Sequence, residues 1–538
     1  MRYHIFWGDT HQNCYTGKVQ NPPISDVLAF TRTHLDFYTG AYYTPWIDSV
    51  PLREGGGPAS RRETGGHAME RALLAMSWQG IKVEHLKPAD RLAREWEEFQ
   101  RAITEHHAPG AFVTFPGYEW HGDGSWGDHN VIYREEGRPI LTVDSLPELY
   151  TLLRGTEALA IPHHTGYLSG IRAPRWAHCD ETISPFAELY SIHGCSETDE
   201  DWVGLRRNSH MGPSAFGGTY QAALDAGLHL GAICSTDNWT NVPGRWGQGL
   251  MACLAEELTR EGLWDAFRQR RVYGVTGDRI ALDFTCNGAP MGAILPFTPE
   301  RHLEVTVRGL DALDRIEILR NGRVIATHCH QGTWQQPAGA SRFVLRLEAG
   351  WGPRPGEIPF GNHRWEGELT LSGGRFTGWS PCWVNRGQGV PELRGDTARF
   401  TLTSDQTLVE QGFQGGTILE FEATLDTPVN LSLNGQSFTG TVRDLTAGSH
   451  LLWYREESAA MVQTTTGADP DGFERDDPLY HHAFKARLHR AIPEAGFTAH
   501  FALTDDEPLT GETHYRVRVE QRNAQRAWSS PIWIQPKR

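Results

Sequence analysis

Residues 3–11, YHIFWGDTH, decide how the first half of the chain is read. Tyr3, Ile5 and Trp7 alternate with His4 and Phe6, the period of a strand. Gly8 is a place for that strand to end and turn, and Asp9 and His11 follow at once. Side chains two residues apart leave a strand on the same side, so a carboxylate and an imidazole are presented together. That is half of a mixed oxygen and nitrogen metal site. Alone, Asp-x-His equally describes a turn-capping aspartate beside a surface histidine, so its meaning depends on how later strands end.

They end the same way. The apolar run 112–115 leads into Glu119, 158–161 into His163-His164, 186–192 into His193, and 230–234 into Asp237. Leu35 to Tyr38 is a further strand. Helical stretches alternate with the strands. Ile24, Val27, Leu28, Thr31 and Leu35 share one stripe, and Leu92, Trp96, Phe99 and Ile103 share another between Pro88 and Pro109-Gly110. Ser145-Leu-Pro-Glu148 predicts a capping box, 219–227 a helix, and Thr259 a cap before Leu263, Trp264 and Phe267. In α/β architectures the C-terminal strand ends gather on one face. Buried strand ends have no packing need for His, Asp or Glu, so this series predicts one convergent metal site.

At 538 residues the chain exceeds one ordinary core. Lys and Arg number 50 against 66 Asp and Glu, a net −16 without long runs. No basic stripe is present, which argues against nucleic acid as partner. The eight cysteines form no CxxC pair, so neither a thiolate zinc site nor a disulfide framework is expected. Asp9 follows Met1 too closely for an apolar leader, and no run is long enough to span a membrane. A cytoplasmic location is the expectation.

From about 280 the helices give way to short alternating runs such as HLEVTVRG, DRIEILRNGRVIATH and HYRVRVEQ. Asn321-Gly322 and Asn434-Gly435 lie between such runs, the hairpin signal. The predicted organisation is α/β plus all-β: a metal-binding barrel over 1–279, a β-sandwich from 280–355 plus 510–538, and an inserted or second β-rich unit over 356–509. That unit could bind carbohydrate, form a homo-oligomer contact or lean on the barrel as a lid. The stretch 464–478 reads as an exposed loop, and the Gly55–Gly57 run as part of another.

WGDTH, the PGYEW segment with His129-Asn130 after it, IPHH, ELYSIHG and STDNW resemble the polymerase and histidinol phosphatase (PHP) superfamily. More narrowly they resemble a branch whose members open with WGD-x-H and carry a β-rich tail. GVTGDRIALDF at 274–284 and AWSSPIWI at 527–534 are similar to that branch. The resemblance implies a distorted (β/α)7 TIM-like barrel with one to three divalent metals at the C-terminal ends of its strands. On it, Asp9 and His11 stand at the first ligand pair and Glu119 at a bridging glutamate. His163 or His164, with His193, stand near single-histidine positions, and Asp237 at an Asp-x-His. Two imidazole positions depart from the pattern. Tyr42 or Tyr43 replaces one and Trp239 the other, so one or two metals are expected rather than three.

Carboxylates and imidazoles without thiolate suit Mn, Zn or Fe. A metal-bound water falls from a pKa of about 15.7 toward about 7 and becomes a hydroxide nucleophile. The implied activity is a metal-dependent hydrolase, phosphoesterase-like, acting on a small anionic substrate. Sulfate-ester, amide or glycoside hydrolysis would use the same centre, and a non-catalytic ligand-binding protein with a degenerate barrel is the competing class. His129 and His164 are candidate proton donors. His129 fits equally as a ligand or as a loop brace. Arg172, Arg206-Arg207 and Arg245 follow ligand-bearing strands and could meet an anion or simply be solvated. Trp120, Trp126, Trp202, Trp239 and Trp246 lie in the same loops, where they could stack on substrate or plug the barrel mouth.

Overall fold

The computed structural model describes residues 3–16, 22–44, 87–201, 205, 213–330, 334, 336–352, 363–404, 414–472, 474 and 477–537. Gly55–Gly57, Trp202 and Arg206-Arg207 lie outside the described residues. The fold is mixed α/β and rich in strands.

The first strand, β1 (His4–Cys14), does not stop at Gly8 as its local sequence predicts. Neighbours on both sides hold it extended. β10 (Leu250–Ala255) pairs antiparallel with it from His4 to Gly8, and β2 (Phe37–Tyr43) pairs parallel from Gly8 to Cys14, with a register shift between Asp9 and Gln12. Gly8 is there for close approach rather than for a turn: a Cβ would lie 2.3 Å from the Phe37 ring.

Beyond β2 the sheet continues through β3 (Val113–Phe115) and β4 (Gly117–Trp120), both parallel to β2. The expected run of parallel strands then breaks. β5 (His129–Tyr133) is antiparallel to β4 and to β6 (Ala158–Pro162). β7 (Phe186–Ser191), β8 (Gly194–Cys195) and β9 (Gly231–Cys234) form a separate small sheet in which β7 and β9 are parallel.

On the other flank, β11 (Val272–Val275) follows β10, and Arg526–Ser529 near the C-terminus pairs antiparallel with β11. The tail also bridges β9 and β11. The Ser530 hydroxyl accepts from Ala232 N–H at 3.0 Å and donates to Val272 O at 2.5 Å.

Helices cover the outside. Ala89–His106 buries Trp96, Phe99, Ala102 and Ile103, with Trp96 edge-on to Tyr118 at 5.9 Å. Thr259 caps Arg260–Arg268, its hydroxyl accepting from Gly262 N–H at 3.0 Å. The capping box expected at Ser145 does not form. Leu146–Leu153 instead opens on Pro147, whose fixed φ suits a first helical turn.

The second half is a pair of β-sandwiches. Ala281–Cys286, Arg301–Arg308 and Thr498–Asp505 form one sheet, whose Leu282, Phe284, Leu303 and Val305 pack on Ile316, Ile318, Val517 and Val519. Those partners belong to strands continuous with the β1 sheet. Ser341–Trp351 pairs with Gly415–Ala423 and Phe484–Leu488, facing a second sheet that contains His363–Leu371 and Pro428–Leu433. Pairing with the inserted strands thus begins by Ser341, and pairing with the earlier sheet resumes at Thr498. Both Asn-Gly turns join hairpin strands with left-handed backbones, φ 48° and 77° at 321–322 and 42° and 82° at 434–435. Arg455–Thr466 is helical and ends at Gly467, so the first residues of the expected 464–478 loop belong to a helix. No disulfide joins the described cysteines, and no described helix is long and apolar enough to cross a membrane.

Candidate metal centre

Three groups of donors lie side by side. Glu119, Asp128, His163 and His164 form the first, His164, His193 and Asp237 the second, and His11, Glu188 and Asp237 the third. Within each group, one donor atom per residue lies within 4.8 Å of the others. His164 belongs to the first two groups and Asp237 to the last two, so the set is continuous.

The backbone explains the convergence. β6 ends at Pro162, and His164 then adopts a left-handed conformation, φ 51°. Two adjacent histidines would point apart on a strand, but past its end both face inward, their rings 4.4 Å apart. Asp237 is also left-handed, φ 48°, just beyond β9. Glu119 comes from β4 and Glu188 from β7.

Most of the imidazoles have one nitrogen held by a neighbour while the other faces a carboxylate of the cluster. His11 Nδ1 lies 3.0 Å from Glu188 Oε2 and its Nε2 3.3 Å from Asp237 Oδ1. His193 Nδ1 lies 2.8 Å from the Tyr167 hydroxyl and its Nε2 2.8 Å from Asp237 Oδ2. His164 Nδ1 lies 2.8 Å from Asp128 Oδ2 and its Nε2 3.1 Å from Asp237 Oδ2. His163 Nε2 lies 3.2 Å from Glu119 Oε1. This pattern of a partner on one ring nitrogen is the one that orients histidine ligands.

The donor set fits divalent cations. Glu119 Oε2, His163 Nδ1 and His121 Nδ1 are buried and have no hydrogen-bond partner among the described residues. Four carboxylates, Glu119, Asp128, Glu188 and Asp237, are buried, and the Arg172 guanidinium has its Nε 3.2 Å from Asp128. Burial pushes the Glu188 carboxyl up to about 7. Burial alone would lower His11, but the carboxylates of Asp237 and Glu188 override it and raise the imidazole to about 10. Buried carboxylates packed among these imidazoles make a site that added positive charge would stabilise.

The sequence-predicted residues divide clearly. His11, Glu119, His163, His164, His193 and Asp237 come together. Asp9 does not join any of the groups. Its carboxylate accepts from Thr236 N–H at 3.2 Å, the Thr236 hydroxyl at 2.6 Å, Gly244 N–H at 2.8 Å and His11 N–H at 3.1 Å. It braces the segment that delivers Asp237. His129 also lies outside the groups, fully buried with Nδ1 3.0 Å from Gly127 O and its ring against Trp120 and Tyr150. Arg245 is buried in the loop whose Gly244 holds Asp9.

Tyr42 donates to Glu95, whereas Tyr43 packs between His121 and Trp239. Trp120 and Trp246 donate to Val143 O and Asp278, which are packing roles. Asp128, Glu188 and His121, whose Nε2 is 2.9 Å from Glu119, were not singled out from sequence. All three lie inside or beside the motif stretches: Glu188 in ELYSIHG, His121 directly after PGYEW, and Asp128 directly before His129.

A family model described as a protein of unknown function (DUF3604) matches residues 210–289. Uncharacterized proteins of three Chlamydia species are similar over part of the chain. That of Chlamydia pneumoniae is 24% identical over 255 residues, 43% of this chain and 40% of the relative. Those of Chlamydia muridarum and Chlamydia trachomatis are 28% and 29% identical, over 35% and 34% of this chain and 32% and 31% of theirs. The chain thus spans less than half the length of these relatives. A solved structure described as a two-domain protein containing a predicted PHP-like metal-dependent phosphoesterase, from Bacteroides vulgatus, aligns over 82% of this chain and 96% of that one. Its TM-score is 0.32 and its identity 10%.

Proposed function

We propose that this chain is a metal-dependent hydrolase with phosphoesterase-like activity on a small anionic substrate. The observation that carries the reading is the continuous donor set joined through His164 and Asp237, with buried donor atoms that lack a hydrogen-bond partner among the described residues. His11, Glu119, His163, His164, His193 and Asp237 would hold one or more divalent ions, together with Asp128 and Glu188. Carboxylates with imidazoles suit Mn, Zn or Fe. When bound, such ions lower the pKa of a coordinated water toward about 7 and polarise a substrate oxygen.

The chain's own residues supply the rest. Arg172, a quarter exposed while the ligands are buried, stands where an anion would enter and is held in place by Asp128. Asp9 keeps Thr236 and Gly244 fixed, so Asp237 is aimed before any ligand arrives. We read the arc β1–β9 as an opened form of the distorted (β/α)7 barrel of the PHP superfamily. A net charge of −16 without a basic stripe favours a small soluble substrate over nucleic acid, and we place the activity in the cytoplasm.

The second reading, a non-catalytic binding protein, draws on Tyr43 and Trp239. They pack together at 4.5 Å where the superfamily pattern has imidazoles. One experiment separates the two. The protein is purified without added metal, its metal content is measured, and phosphate and sulfate esters are screened with Mn or Zn restored. Bound metal and metal-dependent ester hydrolysis are expected. A folded protein that takes up no divalent ion would overturn the hydrolase reading.

A further inference from the structure

Three imidazoles flank Asp237, those of His11, His164 and His193, and their far partners differ in kind: carboxylates for His11 and His164, a hydroxyl for His193. His11 Nδ1 faces Glu188, a carboxylate that only accepts while ionised. His193 Nδ1 faces the hydroxyl of Tyr167 at 2.8 Å, and a hydroxyl can donate or accept by rotating its O–H. Tyr167 is itself buried, with the Arg172 guanidinium 5.8 Å from its ring centre.

We propose that Tyr167 is a positioning residue that orients His193 through Nδ1 and lets it change tautomer when a cation arrives. This rests on the metal-site reading above. His193 Nε2 lies 2.8 Å from Asp237 Oδ2 and its Nδ1 2.8 Å from the Tyr167 hydroxyl, the arrangement in which Nε2–H would donate to the carboxylate and Tyr167 O–H to Nδ1. Coordination through Nε2 requires that nitrogen to lose its hydrogen. The proton is then carried on Nδ1, and Tyr167 turns from donor to acceptor. The imidazole stays neutral in both states, and no net proton leaves the pair.

The test is Tyr167→Phe, which keeps the buried ring and deletes only the hydroxyl. The whole chain is titrated with Zn(II) and with Co(II), following heat and the Co(II) visible spectrum, alongside wild type. Wild-type binding must be seen first; its absence defeats the metal-site reading rather than this inference. Given that binding, Tyr167→Phe is expected to weaken one class of site about 10–100-fold and alter the Co(II) spectrum, with an unchanged melting temperature in chelator. Tyr167→Leu, which also removes the ring, reports the packing contribution separately. Wild-type affinity and spectrum in Tyr167→Phe would overturn the proposal, and so would a loss of stability in chelator equal to that of Tyr167→Leu.

Discussion

His164 Nε2 lies 3.1 Å from Asp237 Oδ2, and both residues hold left-handed backbones, φ 51° and 48°. A non-glycine residue in that region costs on the order of 1–2 kcal/mol. The two residues joining the donor groups thus both hold backbones that resist their own side chains.

His164→Gly should therefore separate strain from ligation. In chelator the variant is expected to be as stable as wild type or slightly more so. Its metal content after desalting should fall further than that of His193→Ala, because His164 serves two groups and His193 one. Elemental analysis of both variants decides it; equal losses would mean that the groups do not share His164.

Asp9 offers a second separation. Its carboxylate satisfies three backbone N–H groups and a hydroxyl, buried except for the half-buried Gly244. Asp9→Ala is expected to cost about 3–5 kcal/mol in denaturant unfolding even in chelator, since buried donors lose their acceptor. Asp9→Asn should cost less. If Asp9→Ala lost metal yet kept its metal-free stability, Asp9 would be a direct ligand, as strand-end reasoning alone implies.

Gly8→Ala would place a Cβ 2.3 Å from the Phe37 ring. The β1–β2 pairing must spread or the ring must move, at a cost of about 1–3 kcal/mol. Phe37→Leu added to Gly8→Ala should recover part of that loss. A single variant with wild-type unfolding would show that β1 tolerates the displacement.

Acid should weaken the fold through His34. Burial, reinforced by Arg279, lowers its imidazole to about 4 from an ordinary 6.5, with Nε2 held 2.9 Å from Pro243 O. The folded state therefore disfavours the charged form. The contribution is fully present above about 6.5 and is lost as pH falls through 4, a change of about 3 kcal/mol. His34→Gln should flatten this part of the stability–pH curve measured by urea unfolding. An unchanged curve would assign the acid sensitivity to other groups.

Periodicity in the chain was enough to see that metal-capable residues follow the apolar runs of the first half, because alternation and apolar runs are local. The Asn-Gly hairpins and the Thr259 cap were legible for the same reason. What was not legible depended on long-range pairing. β1 runs on past Gly8 because β10 and β2 hold it, and neither lies near in sequence. Asp128 and Glu188 look ordinary in their own stretches and become donors only beside His164 and His11.

The amino-acid order by itself determined the class of chemistry, since carboxylates and imidazoles without paired cysteines admit hard or borderline cations and little else. Tertiary structure alone decided which of them meet. A left-handed turn at His164 re-aims a side chain, four donors withdraw Asp9 from the cluster, and the tail clasps β9 to β11 through Ser530. Each outcome is set by backbone direction and by distant hydrogen-bond partners, and these arise only once the chain has closed on itself.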